Sequence, residues 1–362
     1  MSDRLVRENI RRLKPYHSAR HDFKEGILLD ANENSLGDTI GANLNRYPDP
    51  FQRELKKKIA AFRNVRESQI FVGNGSDEAI DLLTRVFCEP KQDSILITPP
   101  SYGMYGVVAD IHDVTVLKAN LTPEFQLDMI EMKHQMTKSP KIIWLCSPGN
   151  PTGTLLNKQS IMQVIALATD NIVVIDEAYI DFCPLDSCVD LLQFENVVVL
   201  QTCSKSFGLA GLRLGIALAN ENIISFMNKI KAPYNLSQVT INYGLLAFSS
   251  ESISKMEDMV AQLNKSREYF RQWLKTQSFV KILDKGNANF VLCQILVDGV
   301  PNNEVALKMY KSLALDGIIV RFRGNDMNCE AALRISIGNN EELNLLKEIF
   351  EKNYYINKPV TS

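Results

Sequence analysis

Between residues 65 and 220, short runs of apolar and β-branched residues alternate with helical stretches, and this pattern most narrowly limits the fold. The candidate strands are 69–72, 94–98, 114–117, 141–146, 171–175 and 197–201. They are almost wholly apolar and lack the in–out alternation of a sheet wetted on one face. Such runs suit strands buried on both faces of a parallel sheet. Helical patterns over 77–87 and 158–168 lie between them, and regular strand–helix alternation predicts a doubly wound α/β domain. A further strand, 212–219, follows its predecessor too closely for a parallel crossover, so it is expected to be antiparallel.

After residue 220 the texture changes. A long helix is predicted over 252–275, then strands 289–294, 318–321 and 333–337, with helices 302–315 and 340–353. The 362 residues suit about two domains. The expected division is a large α/β domain at 46–264 and a smaller α+β domain made of 1–45 and 265–362.

Charge and composition exclude several functions. Lys+Arg 40 against Asp+Glu 42 leaves a net charge of −2, without the basic excess or Lys/Arg patch of a nucleic-acid binder. No apolar stretch approaches the roughly 18 residues needed to span a bilayer. The opening MSDRLVRENIRRLK is charged and lacks the apolar core of a secretory signal, so the cytoplasm is the expected location. The cysteines number 7, with no pair or Cys/His cluster at zinc spacing. His17 and His21, four apart, are expected to be surface residues; no metal site is expected.

Chemistry-bearing residues gather where strands should end. Lys205 follows strand 197–201, at the ligand-binding edge of an open α/β sheet, with Ser204, Gly208, Gly211 and Arg213 around it. Alone it reads as a loop lysine. Ser204 and Arg213 add groups suited to a phosphate, and a lysine held neutral can condense with a carbonyl. Asp176 closes the apolar run before Glu177-Ala178-Tyr179. It either caps the next helix or, buried, needs a hydrogen-bonding or positive partner, such as the ring nitrogen of a pyridinium cofactor. Asn150, in Asn150-Pro151-Thr152-Gly153, and Tyr179 can both donate to a phenolate oxygen. Gly73-Asn74-Gly75-Ser76-Asp77 links a strand to a helix, and that helix start offers N–H groups to an anion. It lacks the lysine of an ATPase loop and the third glycine of a dinucleotide site. Tyr102, in Pro100-Ser101-Tyr102-Gly103, could lie on a cofactor ring.

Asn-Pro-Thr-Gly, then Asp-Glu-Ala-Tyr, then Ser-Lys with an arginine eight residues on, in this order, resembles the fold-type-I pyridoxal-phosphate aminotransferases. Within them the chain resembles the histidinol-phosphate aminotransferases. That likeness runs through Pro15-Tyr16-His17-Ser18-Ala19-Arg20, Leu29-Asp30-Ala31-Asn32-Glu33-Asn34, Arg46-Tyr47-Pro48-Asp49, Gly317-Ile318-Ile319-Val320-Arg321 and Leu333-Arg334-Ile335-Ser336. Two departures from the family pattern are Gly149 before Asn150 and Ser35 after Asn34.

The resemblance implies pyridoxal 5′-phosphate as cofactor and amino transfer between histidinol phosphate and 2-oxoglutarate, giving glutamate. It assigns Lys205 the covalent bond to the cofactor and the proton transfer, and Asp176 the ring nitrogen. Asn150 and Tyr179 would bind the ring oxygen, with Tyr102 stacked on the ring. Gly75, Ser76, Asp77, Ser204 and Arg213 would hold the cofactor phosphate. Tyr47 would reach the site of a second subunit, implying a homodimer with shared sites. Tyr16, Asn32, Arg321 and Arg334 would receive the substrate. Competing readings are a threonine-phosphate decarboxylase, an aromatic or broad-range aminotransferase, and a cofactor-sensing module of a transcription regulator. The residues before Asp30 are too few to supply the last with a DNA-binding domain.

Overall fold

A computed structural model describes residues 2–23 and 26–358, apart from the side chains of Ser2 and His21. The His17/His21 pair therefore lies partly outside the described residues. Helices α1 (Glu8–Arg12), α2 (Ala19–Asp22) and α3 (Arg53–Arg63) precede the main sheet. Strand β1 (Ile70–Asn74) runs straight into α4 (Gly75–Phe87), with no separate glycine turn between them. β2 (Ser94–Ile97) is followed by α5 (Met104–Ile111), β3 (Thr115–Lys118) by α6 (Met129–Met136), and β4 (Ile142–Cys146) by α7 (Lys158–Leu167). β5 (Ile172–Asp176), β6 (Val197–Thr202) and β7 (Leu214–Ala219) complete seven strands in the order β1-β7-β6-β5-β4-β2-β3.

The sheet is parallel except for β7, which runs antiparallel to both β1 and β6. This is the direction its short connection requires. β4, β5, β6 and β7 are buried along their whole lengths, with apolar layers on both faces. Because β7 is reversed, it begins at the edge where the parallel strands end. Gly73 and Gly215 are register partners there, and a Cβ on Gly215 would strike the backbone of Gly75 and Ser76. Only glycine lets β7 pass that close to the start of α4.

Helices α8 (Glu221–Ile230) and α9 (Gln238–Ala247) lead to α10 (Ser250–Thr276), which Ser249 caps by accepting the Ser252 N–H. Met256 and Val260 of α10 pack into the large core, Phe270 and Leu274 into a second, smaller one. That second core lies under the antiparallel sheet of β8 (Val280–Ile282), β9 (Phe290–Val297), β10 (Val300–Pro301), β11 (Arg321–Phe322) and β12 (Ala332–Ser336). Helices α11 (Asn303–Leu315) and α12 (Asn340–Asn357) cover it. The strand expected over 318–321 is reduced to β11, because only Arg321 and Phe322 find partners on β12.

The expectation that the N-terminal segment joins the smaller lobe is corrected at its start. Leu5 and Val6 are buried with Val86, Phe87 and Met227 of the large domain. The Arg7 N–H donates to the Val86 carbonyl at 3.0 Å, and its guanidinium pairs with Glu89 at 2.9 Å. Two apolar residues in an otherwise charged stretch are enough to anchor it there.

Candidate active site

The ends of β4, β5 and β6 open onto a cleft of about 610 Å³, walled on its far side by β11 and β12. Ser76, Asp77, Tyr102, Asn150, Asp176, Tyr179, Ser204, Lys205, Arg213, Arg321 and Arg334 all line it. Residues up to 258 positions apart in the chain, Ser76 and Arg334, are thus brought to one place by the topology.

Asp176 is the last residue of β5, opposite Cys146 in register, and only 3% exposed. Its carboxylate accepts from the Tyr105 hydroxyl at 2.6 Å and from the Ala178 N–H at 3.1 Å. No basic side chain lies within ion-pair distance among the described residues. Burial pushes its pKa up, against these hydrogen bonds and the more distant Lys205 charge. Tyr105 is itself fixed by stacking on Trp144 at 4.8 Å and edge-on against Tyr102 at 5.7 Å.

Lys205 sits in the loop after β6, half-buried, its Nζ 5.8 Å from the Tyr179 ring centre. The loop is pinned on both sides of it. Ser204 accepts from the Thr202 hydroxyl at 2.9 Å. Ser206 donates to Asp181 at 2.5 Å, and Asp181 pairs with Arg63 at 2.7 Å. Burial lowers the Lys205 pKa, and the positive charges of Arg334 and Arg213 lower it further, with Asp77 and Asp176 opposing. A neutral amine is therefore reached at a lower pH than for a free lysine.

The start of α4 forms an anion cradle. Gly75 has φ +72, its N–H donates to the Arg213 carbonyl at 2.6 Å, and a Cβ there would strike the Arg213 guanidinium. The N-terminal N–H groups and the helix dipole favour an anion at this end. Asp77 holds Arg213 at 3.0 Å and accepts from the Tyr102 hydroxyl at 3.1 Å, placing both beside the cradle. Burial and the Asp77 charge push the Tyr102 pKa up to about 12, so it remains a neutral phenol.

The opposite wall is basic. Arg321 and Arg334 are direct cross-strand partners, an arrangement that like charges disfavour unless an anion is to be shared. The Asn150 side-chain oxygen accepts from Arg334 at 2.5 Å and from Arg323 at 3.4 Å. With the oxygen so engaged, the Asn150 amide N–H groups are left to donate. Burial lowers the Arg334 pKa, and the guanidinium lies over the Phe290 ring at 5.4 Å.

Of the predicted site residues, Gly75 lies just beside the cleft lining, next to Ser76, and three others stand apart from it. Tyr16 borders a small surface pocket with Pro50 and Tyr234, while Asn32 and Tyr47 line a separate hollow with Tyr234 and Gln238. Tyr47 stacks on Tyr234 at 4.6 Å. Its loop is anchored by Glu33, which accepts from Arg20 at 2.5 Å, Arg46 at 2.8 Å and the Tyr47 N–H at 2.6 Å. These anchors hold the segment beside α9, away from the chain's own Lys205.

Sequence reading missed two residues that the cleft uses. Tyr105 lies three positions after Tyr102, about one helical turn, and the start of α5 brings both rings to one side. Arg323 stands two positions after Arg321, the strand spacing that puts two side chains on one face.

Two observations test whether these residues suit pyridoxal phosphate. Asp176 is a buried carboxylate lacking a cation, which a protonated ring nitrogen would supply. The Gly75–Arg213 cradle is built on a glycine at φ +72, a conformation that strains any larger residue, and has the polarity for a phosphate. The residues fit the group.

The family model for aminotransferase class I and II matches residues 21–349. The histidinol-phosphate aminotransferase of Candida maltosa is 42% identical, with 96% of each chain covered. That of Cytophaga hutchinsonii is 43% identical, covering 96% of this chain and 98% of the relative. The crystal structure of histidinol-phosphate aminotransferase from Sinorhizobium meliloti in complex with pyridoxal-5′-phosphate superposes with a TM-score of 0.79 over 90% of each chain, at 20% identity, a likeness of fold. This chain belongs to the class I and II aminotransferases and, among them, to the histidinol-phosphate aminotransferases.

Proposed function

We propose that the cleft transfers the amino group of L-histidinol phosphate to 2-oxoglutarate, a step of histidine biosynthesis that yields glutamate, with Lys205 as the reacting amine. The observation that supports this assignment is one cleft holding a half-buried lysine, a buried carboxylate without a cation, and a wall of arginines. Pyridoxal phosphate, when bound, supplies an aldehyde for covalent capture and a ring that accepts the electron pair left when the substrate's Cα–H bond breaks.

The chain's own residues do the rest. Lys205, its charge disfavoured by burial and its arginine neighbours, would be the amine that holds the cofactor aldehyde and the group that takes the proton from the substrate Cα. Asp176, oriented by Tyr105, would hold a proton on the ring nitrogen. Asn150, its oxygen held by Arg334, would donate to the ring oxygen, and Tyr179 would do the same. Tyr102 would cover the ring face. Gly75, Ser76, Asp77, Ser204 and Arg213 would surround the cofactor phosphate. Arg321 and Arg334 take the substrate's anionic end, since guanidinium binds carboxylate and phosphate alike in a two-pronged geometry.

A homodimer completes the proposal. Phe23, Ile27, Leu29, Leu36 and Ile40 of the N-terminal segment are exposed, as are Tyr243 and Leu246 of α9, beside the hollow that holds Tyr47 and Asn32. A second subunit seated there would receive Tyr47 at its cofactor phosphate and Tyr16 and Asn32 at its substrate pocket. Tyr47→Phe is expected to weaken cofactor retention. Mixing it with Lys205→Ala protein should rebuild one complete site per mixed pair and restore activity above that of either parent. No gain on mixing would show that Tyr47 serves its own chain. The free thiols suit a reducing compartment, and we place the enzyme in the cytoplasm. No helix among the described residues is long and apolar enough to cross a membrane.

Purified holoprotein given L-histidinol phosphate and 2-oxoglutarate should form glutamate, and given threonine phosphate should release no carbon dioxide. Carbon dioxide release without glutamate formation would contradict the assignment.

A further inference from the structure

The cleft wall contains a third guanidinium, and its contacts differ from those of the other two. The Arg321 side chain is exposed, with no hydrogen bond or ion pair to any described residue. Arg334 is committed, its Nη1 on the Asn150 oxygen at 2.5 Å. Arg323 lies between these extremes. Its Nη2 reaches the same oxygen only at 3.4 Å, and its Nε stands 3.2 Å from an Asp326 carboxylate oxygen. That Nε is buried yet makes no well-directed hydrogen bond. The side chain is thus paired by charge, with N–H donors left unspent.

The backbone beneath it is rigid. The Arg323 N–H donates to the Ala332 carbonyl at 2.8 Å, and the Asp326 N–H to the Arg323 carbonyl at 2.9 Å. Gly324 is packed so tightly on Phe322 and Asn303 that a Cβ would strike both. Farther along the loop, the Asn328 amide donates to the Leu121 carbonyl of the large domain at 3.0 Å. Only the side chain is free to change partners.

Resting on the functional reading above, the same wall must admit two unlike substrates. One carries a phosphate with a charge of about −1.5 to −2, the other a carboxylate of single charge at the corresponding end. We propose that Arg323 is the specificity-determining residue that distinguishes them, leaving Asp326 to engage the phosphate of the phosphorylated substrate. A dianion with three acceptor oxygens can use a third guanidinium beside Arg321 and Arg334. A monoanionic carboxylate, with two oxygens, is satisfied by one two-pronged arginine. Asp326 is the built-in counter-ion that keeps Arg323 quiet when the carboxylate substrate is bound.

The test uses holoenzyme carrying Arg323→Gln, Arg323→Lys or Asp326→Asn, with the two half-reactions measured separately. In Arg323→Gln, KM for L-histidinol phosphate should rise about 10- to 100-fold, the range expected for lost hydrogen bonds to a charged group. Its kcat, its KM for glutamate and the absorption spectrum of the bound cofactor should hardly change. Arg323→Lys should recover part of the loss. Inhibition of the glutamate half-reaction by inorganic phosphate should weaken in Arg323→Gln and strengthen in Asp326→Asn, where the counter-ion is gone. Equal rises in KM for both substrates, or a fall in kcat with altered cofactor absorption, would overturn the proposal and make Arg323 a support for Asn150. If wild-type enzyme did not turn over L-histidinol phosphate, the functional reading would fail by itself. The phosphate-inhibition arm would still decide the role of Arg323.

Discussion

Lys205→Ala protein is expected to lose the visible absorption of lysine-linked cofactor and to slow transamination by about 10⁴-fold or more, since positioned proton transfer alone contributes up to that factor. Alanine removes both the amine that captures the cofactor aldehyde and the group that carries the Cα proton, and among the described residues no second lysine lines the cleft. The loss should not come from unfolding. The folded-state pKa of Lys205 lies below its unfolded value, because burial and then Arg334 and Arg213 disfavour its charge. A group depressed in this way destabilises the apoprotein at pH values below its folded pKa and ceases to do so as pH rises through its unfolded one. At neutral pH the alanine variant should therefore melt at or above the wild-type temperature. The same depression predicts that cofactor capture by wild-type apoprotein accelerates with pH about a midpoint below the ordinary 10.5 of lysine. Arg334→Leu should move that midpoint upward. A midpoint at or above the ordinary value would show that these neighbours do not act on Lys205.

Asp176→Asn should slow the reaction by about 10²- to 10³-fold, comparable to removing one preorganised electrostatic group from an active site. Asparagine keeps the size of the side chain and can still meet the Tyr105 hydroxyl. It cannot hold a proton on the ring nitrogen, so the ring becomes a poorer electron acceptor. Stability should move the other way. The folded-state pKa of Asp176 is raised by burial, so the native state holds its proton more tightly than the unfolded chain. Stability from this group is lost as pH rises from the unfolded value through the folded one. At pH 7 the apoprotein variant should be as stable as wild type or more so, while wild type gains more from added cofactor. Thermal melts of both proteins, with and without cofactor, check this. A less stable apoprotein variant would mean that the carboxylate is satisfied without the cofactor. Both predictions describe a site that strains the empty protein and is relieved when filled.

The large domain was legible because its strands are apolar on both faces, which marks a covered parallel sheet and little else. Asp176 stands out because it directly follows such a run, and Lys205 because it lies in the short loop just beyond the next one. The reversed direction of β7 followed from the length of its connection alone. β8 and β10 carried no comparable signal: each is an edge strand of two or three residues, partly exposed, with no run long enough to show a period. The seat of Leu5 and Val6 was hidden for a different reason. Two apolar residues can anchor a segment, but they do not name the surface they cover.

The site divides in the same way. Residues at strand ends or helix starts could be placed from the sequence because the topology fixes those points. Tyr105 supports Asp176 from α5, a helix too short to stand out in the sequence, and Arg323 follows β11, a two-residue strand that only its pairing with β12 reveals. Tyr16, Asn32 and Tyr47 lie outside the cleft, and in the dimer proposed above they would depend on a second chain, whose seat no pattern within one chain states.

The account depends most on Lys205 being the amine that bonds the cofactor. Holoprotein treated with borohydride, digested and analysed by mass spectrometry tests this directly. The expected result is a single peptide carrying the reduced cofactor, with the added mass on Lys205. The modification on another lysine, or on none, would contradict it.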